Sequence, residues 1–364
     1  MRWAVVGQGH FAQSAILPAF AHARRDAELV ALFSDDEAKR TKLKRQYKVA
    51  HALPYDEYEQ FLRSGQVDAV YIALPNHLHR EYTVRAAQAG VHVLCEKPMA
   101  VTPDECAEMM RACAENQVKL MIAYRLHLER ATLTAVSEIR KGTVGEPRYL
   151  TSAFSFLLNE DNVRGLPSDK GGGPLHDIGT YCINAARYLL REEPTTVTAF
   201  SGLRPANPAL EHTEEQVSAI MRFPDDRLAS FTVSFGATDV GTLTIVGTEG
   251  VLTLDPAYSH SKGLAMTIDR GGKKRSLRFA KRDQVAAELI YFSDCVRTGK
   301  DPEPSGQEGM NDVTIIQALL ESARTGQSVA VHLPPRSKRP DLHQAVDRPP
   351  HPERKNLVRV EAPH

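Results

Sequence analysis

Short apolar runs alternate with amphipathic stretches along the first 125 residues of the chain. The runs predict β-strands, and the stretches, in which apolar residues recur every three or four positions, predict helices. The predicted strands are residues 3–6, 28–33, 69–74, 91–95 and 119–123. The predicted helices are residues 11–22, 37–46, 56–64, 79–89 and 103–116. Strands separated by helices indicate βαβ crossovers, so residues 1–125 are predicted to form an α/β Rossmann domain with a doubly wound parallel sheet.

The pattern changes after about residue 126. A helix at 128–141, a strand at 148–156 and a helix at 175–190 are followed by strands with only short turns between them, at 195–200, 216–223, 228–234, 241–247 and 251–254. Such a succession indicates a mainly antiparallel sheet. With closing helices at 285–298 and 309–325, residues 126–333 are predicted to form an α+β domain for substrate binding and oligomerisation. Its open sheet face would join a homodimer or homotetramer.

The remaining residues, 334–364, differ in composition from both domains. They include seven prolines, and seven basic residues against four acidic ones. Such a segment cannot build a core of its own, so we expect an extended arm or a disordered end.

Charge and cysteine content narrow the possible partners. Lys plus Arg and Asp plus Glu both number 45, which argues against nucleic acid or an anionic membrane as a partner. No apolar run approaches the roughly 20 residues of a membrane helix. The chain opens directly into a strand with no room for a signal peptide, so we expect a cytoplasmic protein. The five cysteines form no CxxC pair, which indicates reduced thiols and no metal site.

A dinucleotide fingerprint follows the first predicted strand. Gly7 would permit a tight turn, and Gly9 would let the backbone approach a pyrophosphate. His10 and Phe11 open the following helix, whose free N–H groups and positive dipole end would face the phosphates. Ala12 completes the GxGxxA pattern.

The end of the second strand bears on the choice of nucleotide. NAD enzymes carry an acid there for the ribose 2′-hydroxyl, but this chain has Ser34. Lys39 could reach a 2′-phosphate, whereas Asp35 would repel one. The pattern favours NADP, with NAD as the alternative. The loop after the third strand would border the nicotinamide ribose with the residues Leu74, Pro75, Asn76 and His79. A helix-terminal histidine bonded to backbone is an equally good interpretation of His79.

The tripeptide Glu96-Lys97-Pro98 follows the strand at 91–95. Open parallel sheets bind ligands at the carboxyl ends of their strands, which makes Lys97 the first candidate for chemistry. Glu96 beside it would border the cofactor. The proline restricts the geometry of Lys97, and a cis Lys97-Pro98 bond is plausible.

A second set of reactive residues follows the glycine run at 171–173. Asp177 and Tyr181 are four residues apart, which puts them on one helical face. Alcohol oxidation needs a base for the hydroxyl proton, and a lysine ammonium nearby would stabilise a tyrosine phenolate. His176 is the rival base and a candidate substrate contact. Further candidate ligands for sugar hydroxyls are Tyr124, Arg125, Asp161, Asn162 and Arg164.

These motifs resemble the Gfo/Idh/MocA oxidoreductase family over about residues 1–333, and within it glucose–fructose oxidoreductase and related sugar dehydrogenases. The segments that carry the resemblance are Gly7-Gln8-Gly9, Ala73-Leu74-Pro75-Asn76, Cys95-Glu96-Lys97-Pro98, Tyr124-Arg125, residues 171–181, 308–313 and 321–326. The resemblance implies that Lys97 anchors a substrate hydroxyl, Asp177 supports the lysine and Tyr181 relays the proton. It also implies an open-faced sheet used for oligomers, and pyranoses, cyclitols or related polyols as substrates.

Two departures from the family pattern stand out. NADP-binding sugar oxidoreductases tend to have Ser-Gly-Asn where this chain has Ser34-Asp35-Asp36. The periplasmic members carry an export signal that this sequence lacks.

The sequence therefore predicts a NAD(P)-dependent oxidoreductase that transfers hydride between nicotinamide and a carbinol carbon of a sugar or polyol. Two alternatives stay open: a redox-assisted glycosidase that retains its cofactor, and a non-catalytic nucleotide sensor.

Overall fold

A computed structural model describes residues 1–160, 162–203, 208–334, 336, 338–352 and 357–360. Its elements up to residue 125 are β1 (Arg2–Val6), α1 (Leu17–Ala23), β2 (Glu28–Phe33), α2 (Glu37–Tyr47), β3 (His51–Leu53), α3 (Tyr58–Leu62), β4 (Ala69–Ile72), α4 (His79–Gln88), β5 (His92–Cys95), α5 (Pro103–Glu115) and β6 (Leu120–Ile122). The later elements are α6 (Arg130–Arg140), β7 (Pro147–Leu157), α7 (Thr180–Leu190), β8 (Thr196–Gly202), β9 (Gln216–Arg222), β10 (Leu228–Ser234), β11 (Gly236–Gly247), β12 (Gly250–Leu254), β13 (Leu264–Arg270), β14 (Lys273–Phe279), α8 (Gln284–Thr298), α9 (Gly306–Thr325) and β15 (Val329–Ala330).

The first sheet is parallel throughout, in the order β3-β2-β1-β4-β5-β6. This confirms the predicted Rossmann architecture. Its strands read as continuous apolar runs because helices cover both faces, and all four residues of β4 are buried. The strand β3 was not predicted, since its three residues are too few to show a period. The order reverses between β1 and β4, which leaves a crevice at the carboxyl ends of those strands.

The second sheet has the strand order β14-β13-β12-β11-β7-β10-β9-β8-β15. Every neighbouring pair is antiparallel except β10 and β7, so the prediction of a mainly antiparallel sheet is confirmed. Burial alternates along β9, and the buried residues of this sheet join one large apolar core. The strands β13, β14 and β15 were not predicted. In β14 five of the seven residues are basic or polar, which hides the alternation.

Two compact units make up the described chain, and each contains separate sequence segments. The first unit comprises the described residues of 1–125, 283–310 and 346–363, and the second comprises the described residues of 126–282 and 311–345. The sequence had placed 283–310 with the second domain. In the structure, Phe292 of α8 packs edge-on against Trp3 of β1, with ring centroids 5.7 Å apart, so α8 belongs to the first core.

The described residues were also compared with the requirements of a membrane helix, a metal site and a disulfide. No helix among them is long and apolar enough to cross a bilayer. No group of three or more metal-ligating side chains occurs among them. All five cysteines are buried and unbridged.

Candidate functional site

The predicted residues of the first unit share one edge of its sheet. Because the strands are parallel, the segments after β1, β2, β4, β5 and β6 all emerge at their carboxyl ends. Open sheets of this strand order bind dinucleotides at that edge. The candidate residues that the topology brings there are Gly7, Gly9, Ser34, Asp35, Leu74, Pro75, Asn76, Glu96, Lys97, Tyr124 and Arg125.

The turn after β1 has the geometry that the fingerprint requires. Gly7 has φ +93°, and a Cβ atom at this residue would lie 2.4 Å from the carbonyl oxygen of Ala73. Gly9 is exposed, and a Cβ atom there would meet no atom within 4 Å. The backbone at Gly9 is thus open to a pyrophosphate, as the residues of a nucleotide site should be.

The helix that follows is α-helical at His10 and Phe11, as predicted, and continues as a π-helical turn at Ala12–Ile16 before α1. Isolated π-helical turns often lie at functional sites, and the N–H groups at the start of a helix attract anions.

The turn after β2 holds its two carboxylates in local hydrogen bonds. Asp35 accepts the backbone N–H of Tyr55 at 3.0 Å. Asp36 caps α2 by accepting the backbone N–H of Lys39, also at 3.0 Å. Ser34 is buried, and its carbonyl accepts Arg40 Nη1 at 2.6 Å. Each carboxylate therefore has one oxygen, Oδ1, bonded to a backbone N–H.

His79 has a structural environment. The ring is buried, with Nε2 2.8 Å from the Leu74 carbonyl oxygen and Nδ1 3.0 Å from the Pro98 carbonyl oxygen. Burial lowers its pKa, and a neutral ring can donate to only one of these oxygens. The geometry favours the backbone-bonded interpretation of His79 over direct cofactor contact. The ring connects the loop after β4 with the Glu96-Lys97-Pro98 turn.

Lys97 follows β5 directly, and its peptide bond to Pro98 is cis. The neighbouring Glu96 contacts a buried tyrosine: the Tyr71 hydroxyl lies 2.8 Å from Glu96 Oε1 and 3.3 Å from Glu288 Oε2. Burial raises the pKa of Glu96, and the Lys97 ammonium opposes that shift. Burial, followed by the charge of Glu96, raises the pKa of Glu288 well above its ordinary value. This pair of carboxyl groups therefore binds a proton more readily than two exposed glutamates.

Tyr124 and Arg125 follow β6, but both are buried. Arg125 Nη1 donates to Gln284 Oε1 of α8 at 2.5 Å. The guanidinium therefore has a structural partner in its own unit, and its predicted contact with a sugar hydroxyl stays a prediction.

The glycine run at residues 171–173, in the second unit, is tightly packed. All three glycines are buried, and a Cβ atom at Gly172 would lie 1.7 Å from the carbonyl oxygen of Leu166. A second π-helical turn, Leu175–Gly179, leads from the run into α7. It replaces the first turn of the predicted α-helix and includes Asp177.

The structure pairs two of the predicted residues directly. Arg164 Nε donates to Asp177 Oδ2 at 2.7 Å, and Asn162 caps the short turn that includes Arg164. Tyr181 is partly buried, with its ring 5.7 Å from that of Phe154. Asp161 lies outside the described residues.

His176 is buried one residue before Asp177. Its Nδ1 lies 3.0 Å from the Gly172 carbonyl oxygen, while Nε2 has no hydrogen-bond partner. Burial lowers the pKa of the imidazole. The ring is thus neutral and has an unsatisfied nitrogen, so it remains a candidate substrate contact.

Sequence reasoning missed the residues that support these candidates. Tyr71 and Glu288 are 217 positions apart, and Gln13 binds a residue of the tail 345 positions away. No periodicity connects such pairs. The one available signal was an acidic residue, Glu288, on the buried face of a predicted helix.

Comparison with known proteins agrees with the fold. The model of an oxidoreductase family with an NAD-binding Rossmann fold, GFO_IDH_MocA, matches residues 1–124, and the model of the GFO/IDH/MocA C-terminal domain matches residues 132–253. These matches define an oxidoreductase with a dinucleotide-binding domain. The chain belongs to the Gfo/Idh/MocA family.

Similar proteins within the family are sugar oxidoreductases. The D-xylose 1-dehydrogenase [NADP(+)] of Haloarcula marismortui is 30% identical, over 90% of this chain and 92% of its own. A D-xylose 1-dehydrogenase (NADP(+)) of Haloferax volcanii is also 30% identical, over 90% and 99%. The aldose-aldose oxidoreductase of Caulobacter crescentus, solved with glycerol, has a TM-score of 0.86 and 33% identity, covering 91% of this chain and 99% of its own.

Proposed function

We propose that the protein transfers hydride between C4 of NADP and a carbinol carbon of a sugar or related polyol. The observation that carries this proposal is the position of Lys97, directly after β5 on the same sheet edge as the Gly7 turn and the open backbone of Gly9. A cation at that edge is suited to bind a substrate hydroxyl close to the nicotinamide.

The turn after β2 supports NADP over NAD. The position of the expected acid is Ser34, and Asp35 is bonded to the backbone of Tyr55. An NAD site needs a carboxylate that is available to the 2′-hydroxyl. The two xylose dehydrogenases at 30% identity are both named for NADP.

The chemistry divides between the nucleotide and the side chains. NADP, when bound, supplies the hydride acceptor or donor. Lys97 binds the substrate hydroxyl, and Tyr181 moves its proton. Asp177, which is bonded to Arg164, balances the positive charge of Lys97. Each of these roles is a proposal for the named residue.

For the substrate we propose an aldose or pyranose, because the similar proteins named above act on xylose or on aldoses. We also propose a reducing, cytoplasmic environment, which the five unbridged buried thiols support.

A homo-oligomer through the open face of the second sheet is part of the proposal. Large apolar side chains are exposed on that face, including Phe200 at 73% exposure and Ile220 at 53%. Apolar groups exposed in one contiguous area mark association surfaces.

The test is the near-ultraviolet absorbance of reduced nicotinamide, with NADP or NAD added separately to a panel of aldoses and cyclitols. We expect reduction with NADP and a few pyranoses. Nucleotide binding without turnover on any pair would contradict the proposal. If the protein then hydrolyses an aryl glycoside, it is a glycosidase that retains its cofactor. If it does not, the remaining alternative is a non-catalytic nucleotide sensor.

A further inference from the structure

The C-terminal tail returns to the first unit along α1 and α8. The backbone N–H of Asp283 donates to the carbonyl oxygen of Arg348 at 3.0 Å. The ring of His351 stacks on that of His22 in α1, with centroids 6.5 Å apart. His22 Nδ1 itself lies 2.7 Å from Asp283 Oδ2. These contacts fix the described residues 346–352 to their own chain.

Further along, the tail contacts the dinucleotide fingerprint. The side-chain amide of Gln13 accepts the Val358 N–H at 2.8 Å and donates to the Val358 carbonyl oxygen at 3.0 Å. The same amide donates to the carbonyl oxygen of Gln8, the middle residue of the Gly-Gln-Gly turn, at 2.9 Å. Gln13 is 1% exposed and Val358 is 7% exposed. One buried amide therefore joins the tail to the turn that approaches the pyrophosphate.

The residue after Val358 places a cation beside the turn that follows β2. Arg359 Nη1 lies 3.4 Å from Asp36 Oδ1, and the arginine side chain is 68% exposed. The Lys39 N–H and, to a smaller extent, Arg359 lower the pKa of Asp36, so this carboxylate is charged. A charged Asp36 by itself would repel a ribose phosphate. A guanidinium neutralises it and still presents other N–H groups to an anion.

Two other charged side chains of this turn, those of Asp35 and Arg40, have local partners. Asp35 accepts the Tyr55 N–H, and Arg40 Nη1 donates to the Ser34 carbonyl oxygen at 2.6 Å. An exposed guanidinium from the tail is therefore well placed to meet a phosphate at the end of β2.

We propose that Arg359 is a residue that determines specificity for the 2′-phosphate of NADP, and that the tail delivers it to the site within the same chain. This inference rests on the proposed function, which places the adenosine ribose at the end of β2. It also explains how a turn reading Ser34-Asp35-Asp36 accepts a 2′-phosphate.

The test is isothermal titration of NADP⁺ and of NAD⁺ into the full-length protein, Arg359→Ala, Arg359→Lys and a chain ending at residue 352. Arg359→Ala should raise the Kd for NADP⁺ about tenfold, the scale of a hydrogen bond to a charged group. The Kd for NAD⁺ should change by less than about twofold, since NAD lacks the phosphate that this bond requires. Arg359→Lys should lie between wild type and alanine. The shortened chain should lose at least as much NADP⁺ affinity as Arg359→Ala.

Arg348→Ala is the matched control, because it removes an arginine from the same tail whose Nη1 donates to the Asp347 carbonyl oxygen. It should bind both nucleotides as wild type does. Unchanged NADP⁺ affinity in Arg359→Ala, or an equal loss for both nucleotides, would overturn the role of Arg359 and leave the proposed function standing. A wild-type protein that binds neither nucleotide would overturn both.

Discussion

Arg164 Nε and Asp177 Oδ2 form a 2.7 Å hydrogen bond at the entrance to α7. The bond orients one oxygen of the carboxylate that we propose as a partner of the catalytic set. Arg164→Gln should therefore lower kcat/KM about tenfold or more, the scale of a hydrogen bond between charged groups. Steady-state kinetics measure this, with thermal unfolding as a check on folding. Arg164→Lys, which keeps a cation, should recover part of the loss, and wild-type kinetics in Arg164→Gln would contradict the assignment.

Lys97→Ala should abolish turnover and leave nucleotide binding nearly intact. The ammonium is proposed to bind the substrate hydroxyl, while the fingerprint backbone binds the pyrophosphate. Kinetics and isothermal titration of NADP⁺ separate the two effects. Lys262→Ala, at an exposed position, serves as the control. Parallel loss of binding and turnover would show that Lys97 acts on the nucleotide instead.

Tyr181→Phe should lower kcat by about two orders of magnitude or more, the range of positioned acid–base catalysis. Phenylalanine keeps the ring that packs against Phe154 and removes only the hydroxyl. If the variant retains most of its rate, His176 becomes the better candidate for the base, because its Nε2 is buried without a partner. His176→Gln would then be the variant that loses activity.

Glu288→Gln should change how stability depends on pH. The raised pKa of Glu288 means that the folded protein binds this proton more tightly than the unfolded chain does. The contribution is complete below the ordinary glutamate pKa of about 4.3 and is lost as the pH rises through the raised value. Within that window, the free energy of unfolding of wild type should fall relative to Glu288→Gln. The slope has a limit of about 1.4 kcal/mol per pH unit.

Chemical denaturation at a series of pH values measures this difference. Glu115→Gln, at an exposed position of α5, should follow wild type throughout. Parallel curves for wild type and Glu288→Gln would show that the buried carboxyl pair does not retain a proton.

Phe200→Glu should shift the protein to a smaller species in light scattering at fixed concentration. Phe200 is the most exposed of the large apolar side chains on the open sheet face, and a charge there opposes burial. Gln46→Glu, on the exposed side of α2, should leave the mass unchanged. A wild-type protein that is already monomeric would contradict the proposed interface.

Local patterns predicted most of the fold. The apolar runs of β1, β2 and β4 and the alternation in β9 are strong signals because burial fixes the period of each strand. The short β3 and β15 and the basic β14 gave no such signal. The π-helical turns at Ala12–Ile16 and Leu175–Gly179 depend on packing that helical periodicity does not show.

The sequence also predicted one part of the candidate site and missed another. Gly7, Gly9 and Lys97 were predictable because strand ends and glycine turns have local signatures. The sequence did not predict the bond of Arg164 to Asp177 or the burial of His79 and Arg125. These features depend on which chain segments meet in space. The C-terminal tail was the feature that the sequence predicted least well. Its composition suggested an extended or disordered end, whereas Val358 is buried against Gln13.

The most direct test of hydride transfer uses an aldose deuterated at the carbon that is oxidised, incubated with NADP⁺ and the wild-type protein. Proton NMR of the reduced nucleotide then shows whether deuterium has reached C4 of the nicotinamide. We expect deuterium at C4 in one stereochemical position. Reduced nucleotide without deuterium, or no reduction of NADP⁺ by any aldose or polyol, would contradict it.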